Sequence, residues 1–473
     1  MRRTLLHVVP VITLLAALVG GAPSATAVPH EITVGPNINV SKLAGNQAET
    51  AIAINPTNPQ NIAILTNVQF GNKLFFAYSM NGGSTWNTRL VADGTDGIGV
   101  ACCDPSLSWD SYGNLFMIYL DSKAHDVLSA LSVDGGATFT SLGAAEAGKS
   151  SKKGAATKVR MKGGPSVDQP TVTTGPGGVF VTYKLFAKQQ LVRVSAASVS
   201  GLGDVGPWGA PEAVPGSKHG TFGDISVGPD GQVMVTYQDG AGGQGPSTLW
   251  VNVDPDGLGP EGFGPAIAVT QTNVGGFDYI APQASRSVDA EVAVAYDRSG
   301  DAYRGRVYML YTNETPDESD NTDIYVRHSD DDGSTWSAAV KVNDDATTNS
   351  QFNPHISVDQ TTGFVAVSFH DARNDLGNGG IGDTNGIPND DAMYYGAVSR
   401  NGGGRFSANV RIAAGASNGD DSHNGVEYGD FTGMSFLGGA FYPAWADNSN
   451  STGDNPDGAL TTFDIYTAKV SVT

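Results

Sequence analysis

The sequence predicts an all-β protein, a β-propeller of seven blades, from a turn-rich composition and from two motifs that recur along the chain. The 473 residues include 62 glycines and 24 prolines, and 16% of the residues are charged. Helices need long stretches free of glycine and proline, so this composition favours short strands joined by turns. An internal repeat also explains how a chain of this length can form one domain.

The first motif is an eight-residue turn that occurs four times, called here the Asp-box turn. It reads Ser, any residue, Asp or Asn, any residue, Gly, any residue, Thr or Arg, and an aromatic residue. The Asp or Asn side chain is suited to bond nearby backbone amides, and the Gly permits a positive φ, so the motif predicts a hairpin turn between two strands. The four copies are residues 79–86, 132–139, 329–336 and 399–406.

The second motif is an apolar alternating strand, a Gly-centred turn and another strand that ends near an aromatic residue. Alternation of period two predicts strands with one buried face. Seven copies predict seven four-stranded blades, with six blades as the alternative. A strand at residues 38–41 is expected to close the ring beside residues 463–470, which removes the free sheet edges. The copies span residues 51–66, 105–121, 170–183, 224–239, 292–311, 354–371 and 430–447.

Residues 1–27 have the features of a signal peptide: two arginines at the start, an apolar stretch, and a small-residue cleavage signal, Ala25-Thr26-Ala27. We therefore expect a secreted, extracellular protein in which residues 28–473 form a single propeller domain and act as a monomer. Later stretches fall short of the ~18 apolar residues of a membrane span. The formal net charge of −21 disfavours nucleic acid and anionic membranes as partners.

The four Asp-box turns resemble those of the sialidase-like, or BNR-repeat, β-propeller superfamily, and the resemblance covers nearly the whole chain after residue 27. It implies an extracellular glycan or polysaccharide as partner. The superfamily places Asp boxes at the outer rim, so they indicate the fold and not the site. Its Arg-Ile-Pro segment does not occur in this sequence. The functions to distinguish are a sialidase-like glycoside hydrolase, a polysaccharide lyase, and a non-catalytic glycan- or protein-binding propeller.

Ligands of propellers bind where the loops leading into the innermost strands gather around the axis. Glu427 and Tyr428 open the last innermost strand. The resemblance implies for them the roles of the sialidase nucleophile pair, in which the carboxylate takes the phenol proton so that the oxygen can attack an anomeric carbon. A purely structural role at the start of the strand is the alternative, because residues 222–224 align with residues 428–430.

Other candidate site residues lie at corresponding places in the repeat. Asp104 and Asp168 open two other innermost strands and are candidates for a general acid, since neighbouring carboxylates would raise the pKa. Arg286 and Arg373 are expected to hold an anionic sugar, Arg373 as a bidentate clamp. His370 departs from the repeat at the same rim, and a surface histidine with a backbone partner is its alternative role.

The loop of residues 371–391 carries many oxygen ligands among glycines, which predicts a structural calcium site. A solvated loop without an ion is the alternative. The candidate ligands are Asp375, Asp383, Asn385, Asp390 and Asp391.

The only cysteines, Cys102 and Cys103, are adjacent and directly precede Asp104. Export favours their oxidation to a vicinal disulfide. Free buried thiols and metal-bound thiolates are the alternatives.

Overall fold

The computed structural model describes residues 31–69, 71–146, 166–186, 191–240, 243–422 and 426–473. The predicted signal peptide lies outside these residues. Within them the regular structure is β-strand, apart from one short 3-10 helix at Asp420–Ser422. In the same residues, no helix has the length and apolar character that crossing a membrane requires.

Seven antiparallel sheets form the blades of a propeller, which confirms the predicted fold class and excludes six blades. The first strands of neighbouring blades contact one another in a closed cycle, from blade one through blade seven and back to blade one. These seven strands are therefore innermost, and the chain runs outwards through each blade.

The N-terminal strands and blades one to three follow in chain order. They are β1 (Ile32–Val34) and β2 (Ile38–Asn39); in blade one, β3 (Gln47–Ile54), β4 (Ile62–Val68), β5 (Leu74–Ser79) and β6 (Asn87–Val91); in blade two, β7 (Ser106–Trp109), β8 (Leu115–Leu120), β9 (Val127–Ser132) and β10 (Thr140–Glu146); in blade three, β11 (Ser166–Gly175), β12 (Gly178–Phe186), β13 (Leu191–Gly201), β14 (Asp204–Val205) and β15 (Glu212–Ala213).

Blades four to seven complete the ring, with one inserted hairpin between blades four and five. They are, in blade four, β16 (Thr221–Val227), β17 (Val233–Gln238), β18 (Ser247–Asp254) and β19 (Ile267–Thr272); in the hairpin, β20 (Asp278–Ile280) and β21 (Gln283–Val288); in blade five, β22 (Ala293–Tyr296), β23 (Val307–Glu314), β24 (Thr322–Ser329) and β25 (Val340–Lys341); in blade six, β26 (Gln351–Val358), β27 (Val365–Asp371), β28 (Asp391–Ser399), β29 (Val410–Arg411) and β30 (Ser417–Asn418); in blade seven, β31 (Gly433–Leu437), β32 (Ala440–Asp447), β33 (Asp464–Thr467) and β34 (Val470–Val472).

The two ends of the described chain meet in blade seven. β2 pairs with β33, with Ile38 opposite Thr467, and β1 pairs with β34, with Ile32 opposite Val472. The N-terminal segment thus supplies the outer strand of a blade whose other strands come from the C-terminal end. This pairing closes the ring and leaves no open edge at the junction.

Apolar side chains fill the spaces between blades. All six residues of β8 are buried, as expected for a strand with a neighbouring blade on each face. Tyr394 of blade six stacks on Trp445 of blade seven with ring centroids 4.9 Å apart. Each buried aromatic side chain contributes about 1.5–3 kcal/mol, so these inter-blade layers stabilise the ring.

The four Asp-box turns share one hydrogen-bond pattern and join the third and fourth strands of their blades. In the turn after β24, Ser329 Oγ accepts from Gly333 N at 2.8 Å, and Asp331 Oδ1 accepts from Thr335 N at 2.8 Å. The other three turns have the same two bonds. Gly333 has a φ of +82°, a conformation that favours glycine. All four turns therefore lie away from the axis.

Candidate active site

The seven innermost strands enclose a cavity of about 750 Å³ on the propeller axis. Its middle is apolar, and its lining at the end where the innermost strands begin includes the carboxyl groups of Asp224 and Glu291. A concave site with a few convergent polar groups is the usual form of a ligand pocket. The apolar lining includes Ile52, Leu107, Val172, Ile225, Ile356 and Met434.

Each blade has at least one residue with positive φ near the start of its innermost strand, which gives a set of seven with one residue from each blade. Six of the seven are not glycine, and their φ values lie between +44° and +60°. The strand register shifts at this point in blades one, three, four and six, which marks a β-bulge. The seven residues are Glu49, Asp104, Gln169, Phe222, Glu291, Asn353 and Gly429.

This repeated bulge concentrates unusual backbone conformations at one end of the axis. Left-handed conformations of non-glycine residues cluster at functional sites, where the surrounding fold holds them in place. Position 429 requires a glycine for lack of space, because a Cβ there would lie 2.7 Å from Cγ of Glu49. The bulges therefore bring polar side chains of different blades together, and the fold keeps them there.

Further carboxyl groups gather beside this end of the cavity. Asp104 and Asp168 are close enough to share a hydrogen bond between their side chains. Asp104 Oδ2 also accepts from Gln169 N at 3.1 Å. Other carboxyl groups of the cluster belong to blades one, four, five and seven. The full set, called here the axial carboxyl cluster, is Glu49, Asp104, Asp168, Asp224, Asp289, Glu291 and Asp430.

Arg286 enters this cluster from the inserted hairpin. Its Nε and Nη2 atoms each lie 2.6 Å from a different oxygen of Asp430, and Nη2 lies 2.7 Å from Oε1 of Glu49. Glu427 holds the hairpin in place, because its carboxylate accepts from the backbone amides of Ser285 at 2.9 Å and Arg286 at 3.2 Å. Glu427 is therefore a support for Arg286.

Burial and mutual repulsion raise the pKa values of the axial carboxyl groups. Burial raises the pKa of Glu49 to about 8, and the charges of Asp430 and Asp104 add to this while Arg286 opposes it. Burial, followed by the charge of Asp168, holds the pKa of Asp104 well above its usual range. Burial also raises the pKa of Asp168. The site thus contains carboxylic acids that keep a proton near neutral pH.

Burial and neighbouring charges also raise the pKa values of the carboxyl groups near blades four and five. Burial holds the pKa values of Asp289 and Glu291 well above their usual range, and the charge of Asp430 adds to both. Burial raises the pKa of Asp224 to about 6. Asp430 thus influences carboxyl groups on several blades, which shows how closely they converge.

Tyr428 does not lie in the cavity, which corrects the prediction from the sequence. It is fully buried, its hydroxyl donates to the carbonyl of Ser417 at 2.6 Å, and its ring packs against His370 with centroids 4.6 Å apart. Gly429, between Tyr428 and Asp430, has a positive φ that changes the direction of the backbone. The Asp430 side chain therefore faces the axis, whereas the Tyr428 side chain enters the core. Tyr428 is a core residue here.

His370 and Arg373 are also separate from the axial carboxyl cluster. His370 is 1% exposed and stacks on Phe352, and burial lowers its pKa to about 3, so it is a neutral core residue and not a group at the rim. Arg373 binds Asp371 of its own blade and Asp344 of the loop before that blade. Of the two predicted arginines, the structure therefore places only Arg286 at the axis.

Three of the five predicted calcium ligands lie together. One carboxylate oxygen from each of Asp375, Asp390 and Asp391 lies within 4.8 Å of the others, and all three residues are buried. Asn385 donates to Asp390 at 2.7 Å and so adjoins the group. Asp383 is apart from it, since its carboxylate accepts from the exposed amides of its own loop, including that of Gly386 at 2.6 Å.

Cys102 and Cys103 are joined by a disulfide directly before Asp104. Both backbones are tied to blade two: Cys102 N donates to the carbonyl of Leu120 at 2.9 Å, and Leu120 N donates to the carbonyl of Cys103 at 3.0 Å. The disulfide pair therefore anchors the segment that presents Asp104 to the axis.

The sequence prediction missed several members of the site. Glu49, Asp224, Asp289, Glu291 and Asp430 were not among its candidates. A signal was present, since each lies within a few residues of the start of a repeated innermost strand. Alignment of all seven copies at this position would have collected them.

Comparisons with known proteins give similarities of structure. No family model matches the sequence, and no curated protein matches it. A protein of unknown function from Dyadobacter fermentans has a TM-score of 0.47 at 10% identity, covering 93% of this chain and 99% of its own. An endosialidase of phage phi92 has a TM-score of 0.46 at 10% identity, covering 94% and 69%. An alpha-L-arabinanase of Penicillium chrysogenum has a TM-score of 0.44 at 13% identity, covering 72% and 94%.

The seven blades define the class of this protein as a β-propeller, and four of its blades carry Asp-box turns. Its distinguishing feature is the axial carboxyl cluster around Arg286. The functional proposal rests on these residues of the chain itself.

Proposed function

We propose that this protein is an exported glycoside hydrolase and that the axial carboxyl cluster is its active site. The observation that carries the proposal is the neighbouring pair Asp104 and Asp168, set among further carboxyl groups beside the end of the axial cavity that Asp224 and Glu291 line. The predicted signal peptide supports export, and the resemblance of the Asp-box turns supports a glycan as substrate.

Glycoside hydrolysis needs a carboxylic acid that still holds its proton and a carboxylate that has lost it. Asp104 suits the first role, because burial and the charge of Asp168 keep its proton in place. Asp430 suits the second role, because Arg286 binds both of its oxygens in an ion pair.

The proposed reaction assigns each proton and bond. Asp104 gives its proton to the glycosidic oxygen while the bond from this oxygen to the anomeric carbon breaks. A water molecule adds to the anomeric carbon, and the carboxylate of Asp430 takes the proton that the water loses. Asp168 hydrogen-bonds to Asp104 and is a positioning residue for the acid.

Turnover of a glycan panel tests this proposal. The purified protein should release reducing ends from at least one neutral glycan, and Asp104→Asn should lower turnover at least about 100-fold, the usual contribution of a general acid. Asp230→Asn is the matched control, since Asp230 lies in the turn between β16 and β17, at the far end of an innermost strand. Unchanged turnover in Asp104→Asn would contradict the assignment. Products that absorb as unsaturated sugars would indicate a lyase, and binding without turnover would indicate a binding propeller.

We further propose that Asp375, Asp390 and Asp391 hold a structural calcium ion. Their oxygens converge within 4.8 Å, and hard oxygen ligands are those that calcium prefers. Asp390 is 6% exposed, and its Oδ1 has no hydrogen-bond partner within the described part of the chain. A buried carboxylate oxygen without a partner is costly, and a cation would remove that cost.

A further inference from the structure

The inserted hairpin between blades four and five exposes two large aromatic side chains beside the candidate active site. Phe277 is 49% exposed and Tyr279 is 48% exposed. Phe277 directly precedes β20 and Tyr279 lies within it, and both are exposed whereas Asp278 and Ile280 are buried. The hairpin also carries Arg286, so its inner part reaches the axial carboxyl cluster while these two rings remain accessible.

Phe222 connects the exposed ring of Phe277 with the cavity. It lines the cavity mouth and is the residue with positive φ at the start of blade four. Its ring meets that of Phe277 edge to face, with centroids 6.0 Å apart and planes at 83°. Phe222 also lies two residues before Asp224 of the axial carboxyl cluster. Phe222 and Phe277 thus connect the cavity mouth with the hairpin, on which Tyr279 exposes a further ring.

The charges at the cavity mouth restrict what can bind there. Seven carboxyl groups converge, whereas Arg286 is already bound to Asp430 and Glu49. Lys184, between blades three and four, is 3% exposed and donates to the carbonyl of Gly220. Within the described residues, both of these cations already have partners, so a ligand carboxylate would have to compete with Asp430, Glu49 and the carbonyl of Gly220 for them. An uncharged ligand with apolar faces and hydroxyl groups fits both the rings and the carboxyl groups.

We propose that Phe222, Phe277 and Tyr279 form a sugar-stacking subsite that guides an uncharged glycan to the axial carboxyl cluster and rejects sugars bearing carboxylates. This inference deepens the proposed function and rests on it for the position of the bond that is cleaved. The apolar faces of sugar rings pack on aromatic rings, while the hydroxyl groups reach polar partners nearby. An exposed cluster of large aromatic rings beside a polar pocket is typical of such recognition.

Binding and turnover of uncharged and anionic oligosaccharides test the subsite separately from the chemistry. The probes are the hexasaccharides of N-acetylglucosamine, xylose and arabinose, with the galacturonic acid hexamer as the anionic probe. We expect at least one uncharged hexamer to bind at least tenfold more tightly than the anionic one. In Phe277→Ala/Tyr279→Ala, affinity for that hexamer should fall about tenfold and KM should rise similarly, with kcat within about twofold.

Two control variants distinguish stacking from a general loss of structure. Tyr112→Ala removes a tyrosine that is 45% exposed in the turn between β7 and β8, at the far end of an innermost strand, and should leave affinity unchanged. Phe277→Trp/Tyr279→Phe keeps both rings and should retain affinity. Unchanged affinity in the double alanine variant would overturn the subsite, as would tight binding of the anionic hexamer or failure of every uncharged hexamer to bind.

The same measurements separate this inference from the proposed hydrolase. If an uncharged hexamer binds through the aromatic rings but is never cleaved, the subsite stands and the hydrolase assignment fails. If cleavage depends on Asp104 but not on Phe277 and Tyr279, the hydrolase assignment stands and the subsite fails.

Discussion

Arg286 and Asp430 join opposite parts of the propeller ring. Two hydrogen bonds of 2.6 Å connect the guanidinium to both carboxylate oxygens, although Arg286 comes from the hairpin between blades four and five and Asp430 begins blade seven. The same guanidinium reaches Glu49 of blade one. The hairpin therefore crosses the mouth of the axial cavity and fixes the geometry of the carboxyl groups around it.

Replacement of Arg286 by Lys should impair both folding and turnover. Lysine keeps the charge but cannot bind two carboxylate oxygens as a planar fork. We expect the free energy of unfolding to fall by about 2 kcal/mol and kcat/KM to fall at least about tenfold. Denaturant unfolding and steady-state kinetics measure these effects. Arg373→Lys is the matched control, since Arg373 forms a similar pair with Asp371, and it should lose stability with kcat/KM unchanged. Equal kinetic effects of both variants would contradict a special role for Arg286.

Removal of the Tyr428 hydroxyl should affect stability and leave turnover intact. The hydroxyl is buried and donates to the carbonyl of Ser417, so Tyr428→Phe leaves a buried acceptor with one partner fewer. We expect a loss of about 1–2 kcal/mol in denaturant unfolding. A collapse of turnover with unchanged stability would instead assign Tyr428 the role of nucleophile and would contradict its place in the core.

The axial carboxyl groups should stabilise the protein more at pH 5 than at pH 8, whereas the buried neutral imidazoles of His355 and His370 act in the opposite direction. Burial raises the pKa of Glu49 from 4.5 to about 8 in the folded state, so the folded protein binds a proton that the unfolded chain releases. This contribution is complete below pH 4.5 and disappears as the pH rises towards 8. The raised pKa values of Asp104, Asp289 and Glu291 act in the same direction.

Denaturant unfolding at both pH values measures this dependence. The Glu49→Gln variant should reduce the difference in unfolding free energy between pH 5 and pH 8 by about 2 kcal/mol. Glu261→Gln, at an exposed position, should leave the difference as in wild type. A pH 5 to pH 8 difference in Glu49→Gln equal to that of wild type would show that Glu49 does not bind a proton in the folded state over this range.

Calcium should raise the melting temperature through Asp390 and its neighbours. An ion that binds only the folded state adds about 2.7 kcal/mol when its concentration is a hundredfold above Kd. Chelation should therefore lower the melting temperature, and calcium should restore it. Asp390→Asn should abolish this response, whereas Asp383→Asn should retain it because Asp383 lies outside the three-carboxylate group. A melting temperature that does not change with calcium would contradict the proposed calcium site.

The sequence revealed the fold because its signals are local and repeated. Period-two alternation and glycine turns recur in every blade, and the seven sheets coincide with the seven copies of the second motif. The Asp-box turns depend on contacts within eight residues, such as Ser329 with Gly333, so their position between strands could be read directly.

The site was harder to predict because a bulge at the start of each innermost strand changes which side chains face the axis. In a regular strand Tyr428 and Asp430 would share a face, but the positive φ of Gly429 directs Asp430 to the cavity and Tyr428 to the core. The contact of Arg286 with Glu49 spans 237 residues, and no local pattern indicates it. Asp104, Asp168 and Arg286 were found because they begin or precede innermost strands.

The structure of the Asp104→Asn variant with an uncharged oligosaccharide tests the central claim most directly. The substitution should slow cleavage enough for the bound sugar to be observed, since it removes the proposed acid while keeping the shape of the side chain. The account predicts a sugar ring at the cavity mouth, with its glycosidic oxygen within about 3.2 Å of residue 104 and a neighbouring ring stacked on Phe222. A sugar bound at the outer rim or at the opposite end of the cavity, beside Trp109 and Arg298, would contradict it.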